Sequence, residues 1–416
     1  MNALSLVFVV ALCLSLVLRA WLSFRQLRHV RSHRGAVPAP FAADIGLDAH
    51  QKAADYTVAK GRLGRISLVL DFALVLVWTL GGGLTALDDT WRSLELSRLN
   101  TGVLVITSFV VLNALIGLPL SLYSTFGIEA DFGFNRTTLR TYVLDILKTL
   151  LLATVLGLPL LYAALALMQK AGGHWWLYVW ALWFGFSLFI TWAYPKFIAP
   201  IFNKFSPLAD ESLKARIENL LTRCGFTSQG VFVMDGSTRS AHGNAYFTGF
   251  GANKRIVFFD TLMATLAPEE IEAVLAHELG HFRLHHVIQR LVLTAVLGLL
   301  GLALLGWLTA QDGFYTGLGV AAPSDYMALL LFTLLLPPFT LVLEPLGAAW
   351  SRKHEFEADA YARRQADGAA LVRALVKLYR DNASSLTPDP LHSAFYDSHP
   401  PALSRIARLQ AADAAR

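Results

Sequence analysis

The sequence predicts a mainly α, multi-pass membrane protein with a small α/β region outside the bilayer, and three observations predict it. Hydrophobic residues make up 55% of the 416 residues and charged residues 16%, with a mean hydropathy of +0.49, a balance that soluble globular chains do not carry. Apolar runs of membrane-crossing length recur along the chain. Between the fifth and sixth of these runs lies a polar stretch of mixed helical and strand periodicity.

Leu4 to Leu22 form the first span. No positive charge precedes it, while Arg25, Arg28, Arg31 and Arg34 follow; this reverses the order of a secretory signal, so the span reads as an uncleaved anchor with its N-terminus outside. Arg19, near the inner end, is placed to snorkel to the headgroups. Further spans fall at roughly 66–86, 102–123, 145–168, 175–197, 287–310 and 326–349, about seven in all. The segments this count places outside hold only Arg92, Arg98 and Lys170, which puts the C-terminus in the cytoplasm. Asp71, Asn113 and Glu344 lie inside spans. Asn113 reads as a helix-to-helix hydrogen bond, Asp71 and Glu344 as groups lining a wet cavity.

Four regions are therefore expected. Residues 1–195 carry five spans, 196–286 form a cytoplasmic α/β segment, 287–350 carry spans six and seven, and 351–416 form a second cytoplasmic segment. In the α/β segment Ser212 to Cys224 has helical period, and Gly230 to Met234 and Arg255 to Phe259 read as short strands. The piece HGNAYFTGF, His242 to Phe250, lies between the strands. The net charge of +5 includes no basic run interleaved with aromatics, so no nucleic-acid partner is expected. The two cysteines, Cys13 and Cys224, give no disulfide framework and no thiolate metal site. Any metal must use His and carboxylate.

The chemistry concentrates in Ile271 to His286, IEAVLAHELGHFRLHH. Pro268 fits the first helical position and Glu269 and Glu270 the first turn, so His277, Glu278 and His281 fall mid-helix. Histidines four apart share one helical face and reach a single tetrahedral metal, typically Zn2+, with Glu278 as base toward a water. A chance His-Glu-His set on an amphipathic helix is the alternative, and a third ligand decides. His285 and His286 are assigned to the helix end, where cations suit the dipole. The later stretch SRKHEFEADAYARR offers Glu355 and Asp359 four apart on one face. Glu355 completes a His2Glu set, and Asp359 accepts from the free N–H of a ligating imidazole. Glu357 points elsewhere. A solvated acidic helix paired to Arg363 or Arg364 is the competing reading.

With STFGIEADFGFNRTT after the third span, then PIFNKFSPL, MDGSTRSAHGNAYFTGFGANKRIVFFDTL, HELGH, EFEADAYA and YDSHPPALSRI in this order, the chain resembles the type I CAAX prenyl proteases, membrane-integral zinc metalloproteases. The resemblance covers nearly the whole chain. It implies a barrel of seven transmembrane helices around a water-filled chamber, one Zn2+ per chain on His277, His281 and Glu355, and Glu278 as general base. It also implies Asn244 and Arg405 as substrate-binding residues and His399 as a donor to the oxyanion, with Arg405 bracing it. Without it, the tail would read as a helix started by Pro400 and Pro401. The implied partners are a peptide or protein substrate, lipidated at a CAAX C-terminus in the eukaryotic relatives, and membrane lipid. The Ala-, Leu- and Arg-rich composition looks bacterial, which suggests an inner-membrane location and leaves a quality-control endopeptidase with unprenylated substrates as the alternative.

Overall fold

The computed structural model describes residues 2–227, 230–248 and 255–414. Gly249 and Phe250 of the HGNAYFTGF piece lie outside the described residues.

Among the described residues six helices are long and apolar enough to cross a membrane, and a bent pair taken as one span brings the number to seven. That pair, Leu47–Trp78 and Gly83–Arg92, turns by 52° at a break where Gly82 takes a φ of +77°, a left-handed value that residues with a Cβ resist. The expected span 66–86 thus runs across a corner rather than along one helix. The neighbours close into a ring. Ala3–Ser32 lies beside Leu47–Trp78 and Asp325–Thr340; the latter meets His286–Leu308, which packs on Trp175–Ala193, then Leu158–Lys170, then Arg98–Leu122. A π-helical turn at Tyr123–Ile128 leads back to Leu47–Trp78.

Within the apolar windows of the spans Arg98–Asp131, Leu139–Lys170, Gly172–Phe202 and His286–Leu308, only 6–11% of residues are buried. They form a single-layer wall, with surface on both sides. One end of the ring is plugged. Phe8, Val103, Trp175 and Tyr326 near the N-termini of their helices and Trp78, Leu165 and Leu305 near the C-termini of theirs join one buried cluster, and Tyr326 donates a 2.7 Å hydrogen bond to the buried carboxylate of Asp88, which also takes Arg92.

The α/β region lies at the opposite end. Its sheet has the order β1-β2-β4-β3, from β1 (Phe205–Pro207), β2 (Val231–Met234), β3 (Ala245–Thr248) and β4 (Arg255–Phe259). β2 and β4 run parallel and the two outer pairs antiparallel. The helix Glu211–Cys224 and the sheet share a core with Ile271, Leu275 and Leu279 of the helix Pro268–Arg283.

Polar residues in the spans turn out to be ties. Asn113 accepts from the indole N–H of Trp78 at 3.2 Å, as expected. Arg19 pairs with Glu344 at 3.1 Å, an ion pair in which each charge meets the other's demand. Asp71 borders a cavity of about 190 Å³ with Arg19 and Thr333. Asp145, which opens the fourth expected span, binds Arg239 of the α/β region through two contacts of 2.8 and 3.0 Å. The helix holding Glu355 begins already at Glu344, joined to Asp325–Thr340 by a single 3-10 turn. Pro337 and Pro338 lie inside the last span without ending it.

Replacing Tyr326 by Phe leaves a buried Asp88 oxygen short of a donor, at a cost of about 1–3 kcal/mol. The thermal unfolding midpoint in detergent should fall, with metal content unchanged.

Candidate metal centre

The helix Pro268–Arg283 starts with Pro268 at its first position, and Glu270 accepts from the Ala267 N–H at 2.8 Å while pairing with Lys377 at 2.7 Å. A residue expected only to favour the dipole is a buried anchor. His277 and His281 bring their Nε2 atoms to 3.3 Å. Between them sits Gly280, and a Cβ there would lie 3.0 Å from the Cα of Ala358. The helix Glu344–Gln365 therefore approaches backbone to backbone, and Glu355 comes within 3.4 Å of both His277 Nε2 and His281 Nε2. The one-turn spacing of Glu355 and Asp359 puts both on the facing side: Asp359 Oδ1 lies 2.8 Å from His277 Nδ1.

These contacts fix the protons. An ionised carboxylate only accepts, so His277 carries its proton on Nδ1 and aims a lone pair from Nε2. His281 Nδ1 is engaged by His286 Nδ1 at 3.0 Å, which leaves its Nε2 facing inward as well. Glu355 Oε2 is buried without a hydrogen-bond partner among the described residues. One nitrogen from each histidine and one oxygen of Glu355 lie within 4.8 Å of one another. Three convergent acceptors with no donor among them fit a divalent cation of the zinc type. Burial opposes a charged His277 ring, but the facing carboxylates of Asp359 and Glu355 outweigh it and raise its pKa, so the pocket favours positive charge at this point.

The site opens on a cavity of about 310 Å³ lined by Asn244, His277, Glu278, Glu355, Tyr379, Asn382, Ser384, His399 and Arg405. The structure thus gathers every residue expected there, though not always in the expected contact. His399 reaches Glu355 Oε1 at 3.4 Å. Asn244 ends the loop before β3, its carbonyl accepting from the Phe259 N–H at 3.0 Å; β3 pairs only with β4 among the described residues and packs against the helix Pro268–Arg283. Arg405 lines the same cavity and makes a contact the sequence did not predict. It is 6% exposed, and its guanidinium grips Asp359 at 2.8 and 2.5 Å rather than bracing His399. A buried carboxylate needs a buried cation more than a half-exposed imidazole does. The helix Ala402–Ala414 does follow the two prolines.

His285 and His286 also depart from expectation. The helix ends at Arg283, His285 turns with φ +60°, and His286 is the first residue of the next helix, 1% exposed. A left-handed residue could not be foreseen in a run of helix formers. Glu357 does point elsewhere, to His286 Nε2 at 3.0 Å. Sequence reading missed Asn382, whose side chain clasps both the N–H and the C=O of Gly243, and the role of Glu129, which reaches His242 at 3.3 Å. The signal for Glu129 was present: an acid in STFGIEADFGFNRTT had no other task. Nothing local marks Asn382.

Residues 26–204 match the family described as CAAX prenyl protease N-terminal, five membrane helices, and residues 207–413 match Peptidase family M48. A CAAX prenyl protease 1 homolog of Oryza sativa is 33% identical over 94% of this chain and 95% of its own length. CAAX prenyl protease 1 of Saccharomyces cerevisiae is 32% identical over 94% and 91%. The crystal structure of S. mikatae Ste24p superposes with a TM-score of 0.91 at 31% identity, covering 98% of this chain and 99% of that one.

Substituting Val for Gly280 should force the two helices apart, since its Cβ meets the Ala358 backbone. The purified variant should lose most of its metal on dialysis; retention at the parent level would show that the close approach is dispensable.

Proposed function

The chain belongs to peptidase family M48 and to the CAAX prenyl protease 1 group of membrane-embedded zinc metalloproteases within it, and on that premise we propose that it is an endopeptidase cutting peptide bonds with one Zn2+ held by His277, His281 and Glu355. One observation carries the reading: three acceptors converge at the end of a cavity that also holds Glu278 and the start of a strand whose outer edge is unpaired among the described residues. Bound there, zinc would acidify a water and polarise the scissile carbonyl.

The chain's own residues account for the rest. Glu278, partly exposed to the cavity, takes the proton of the attacking water and returns it to the leaving amine. His399 donates to the oxyanion as it develops. The outer edge of β3, entered through Asn244, offers main-chain hydrogen bonds to a peptide laid down as an added strand. Arg405 acts through Asp359, which holds the His277 tautomer.

The relatives named as CAAX prenyl proteases support a lipidated C-terminal peptide as substrate, and the comparisons do not favour the quality-control alternative. The excess of basic residues in the segments read as inside supports an N-terminus outside and a cytoplasmic C-terminus. Composition alone carries the bacterial inner-membrane reading; the relatives cited are eukaryotic.

Glu278→Gln is expected to keep its zinc and lose about 10²–10⁴-fold in cleavage of a farnesylated CAAX peptide, and undiminished turnover would falsify the assignment. Glu355→Ala should lose the metal itself. The unprenylated peptide, run in parallel, tests the substrate: equal cleavage of both would remove the lipid from recognition.

A further inference from the structure

The second histidine ligand has a support that parallels the one Asp359 gives the first. His286 lies between His281 and Glu357, with Nδ1 3.0 Å from His281 Nδ1 and Nε2 3.0 Å from Glu357 Oε2. Its ring stacks flat on His354, centroids 3.9 Å apart and planes 5° apart, and His354 is held by Gln289 at 3.1 Å and by Trp350. The three side chains His286, His354 and Glu357 have the composition of a second metal site. Their geometry argues against one. Imidazole lone pairs lie in the ring plane, so two stacked parallel rings aim theirs side by side and not at a common point.

The hydrogen bonds have a different use. Glu357 only accepts, so His286 donates from Nε2 and, as a neutral ring, accepts at Nδ1. His281 must then donate from Nδ1, which turns the lone pair of Nε2 toward His277 and Glu355. We infer that Glu357 and His286 are positioning residues that set the tautomer and ring orientation of His281, so that one helix supplies a ligand at Glu355 and the orienting carboxylates for both histidines at Glu357 and Asp359. The inference rests on the metal assignment to His277, His281 and Glu355.

The test measures zinc affinity by chelator competition on the purified full chain, with metal stoichiometry. His286→Phe keeps a flat ring on His354 but removes the acceptor, and should weaken zinc binding about 10–100-fold. His286→Gln restores an acceptor oxygen and should recover part of the loss. Glu357→Gln, still an acceptor, should behave as the parent, and Glu357→Leu should not. Gln289→Leu, which removes the support of His354 and a hydrogen bond to the Leu284 carbonyl but leaves the His286 contacts to His281 and Glu357, serves as the packing control and should leave affinity alone. Parental affinity in His286→Phe overturns the relay, as does a second zinc per chain that this variant loses. A parent without zinc, or a His281→Ala variant that keeps it at full affinity, overturns instead the assignment on which the relay stands.

Discussion

The close approach of the helices Pro268–Arg283 and Glu344–Gln365 at Gly280 is the constraint from which the metal centre follows. A side chain at that position would hold the backbones apart, and the carboxylates of the second helix would fall short of the imidazoles of the first. With hydrogen there instead, Ala358 lies against Gly280, and the residues three before and one after it face His281 and His277. Burying so many polar atoms is costly unless each finds a partner. Arg405 answers the charge of Asp359, Lys377 that of Glu270, and the residual demand at Glu355 is left for a cation.

The same economy governs the membrane half. Two ion pairs of the spans mark seams: Arg19 with Glu344 joins the first span to the last, and Asp145 with Arg239 joins the wall to the protease region. Glu129 reaches His242 beside the cavity, next to a ring stack with Phe134. The wall is otherwise a single layer, pinned at its far end by one apolar cluster. Rigidity is thus concentrated at two places, the plug and the site.

Much of this was legible in the chain, for identifiable reasons. Span positions follow from the length of apolar runs, and β4 from a β-branched and aromatic run that stops at Asp260. His277, His281, Glu355 and Asp359 were recoverable because helical spacing alone decides which side chains share a face. What was not legible depends on backbone conformation or on distant contacts. The left-handed turn at His285, which carries His286 into the next helix, has no signature in HFRLHH. The short edge strands β1 and β3 have too few residues to show a period. The partner of Arg405 was misjudged because spacing within the tail says nothing of which buried charge lies across from it.

The last span and the ligand helix form one run from Asp325 to Gln365, with only the turn Leu341–Leu343 between them. No loop stands between lipid and Glu355. A bilayer that thins or thickens around the span therefore acts on the same continuous element that presents the ligand.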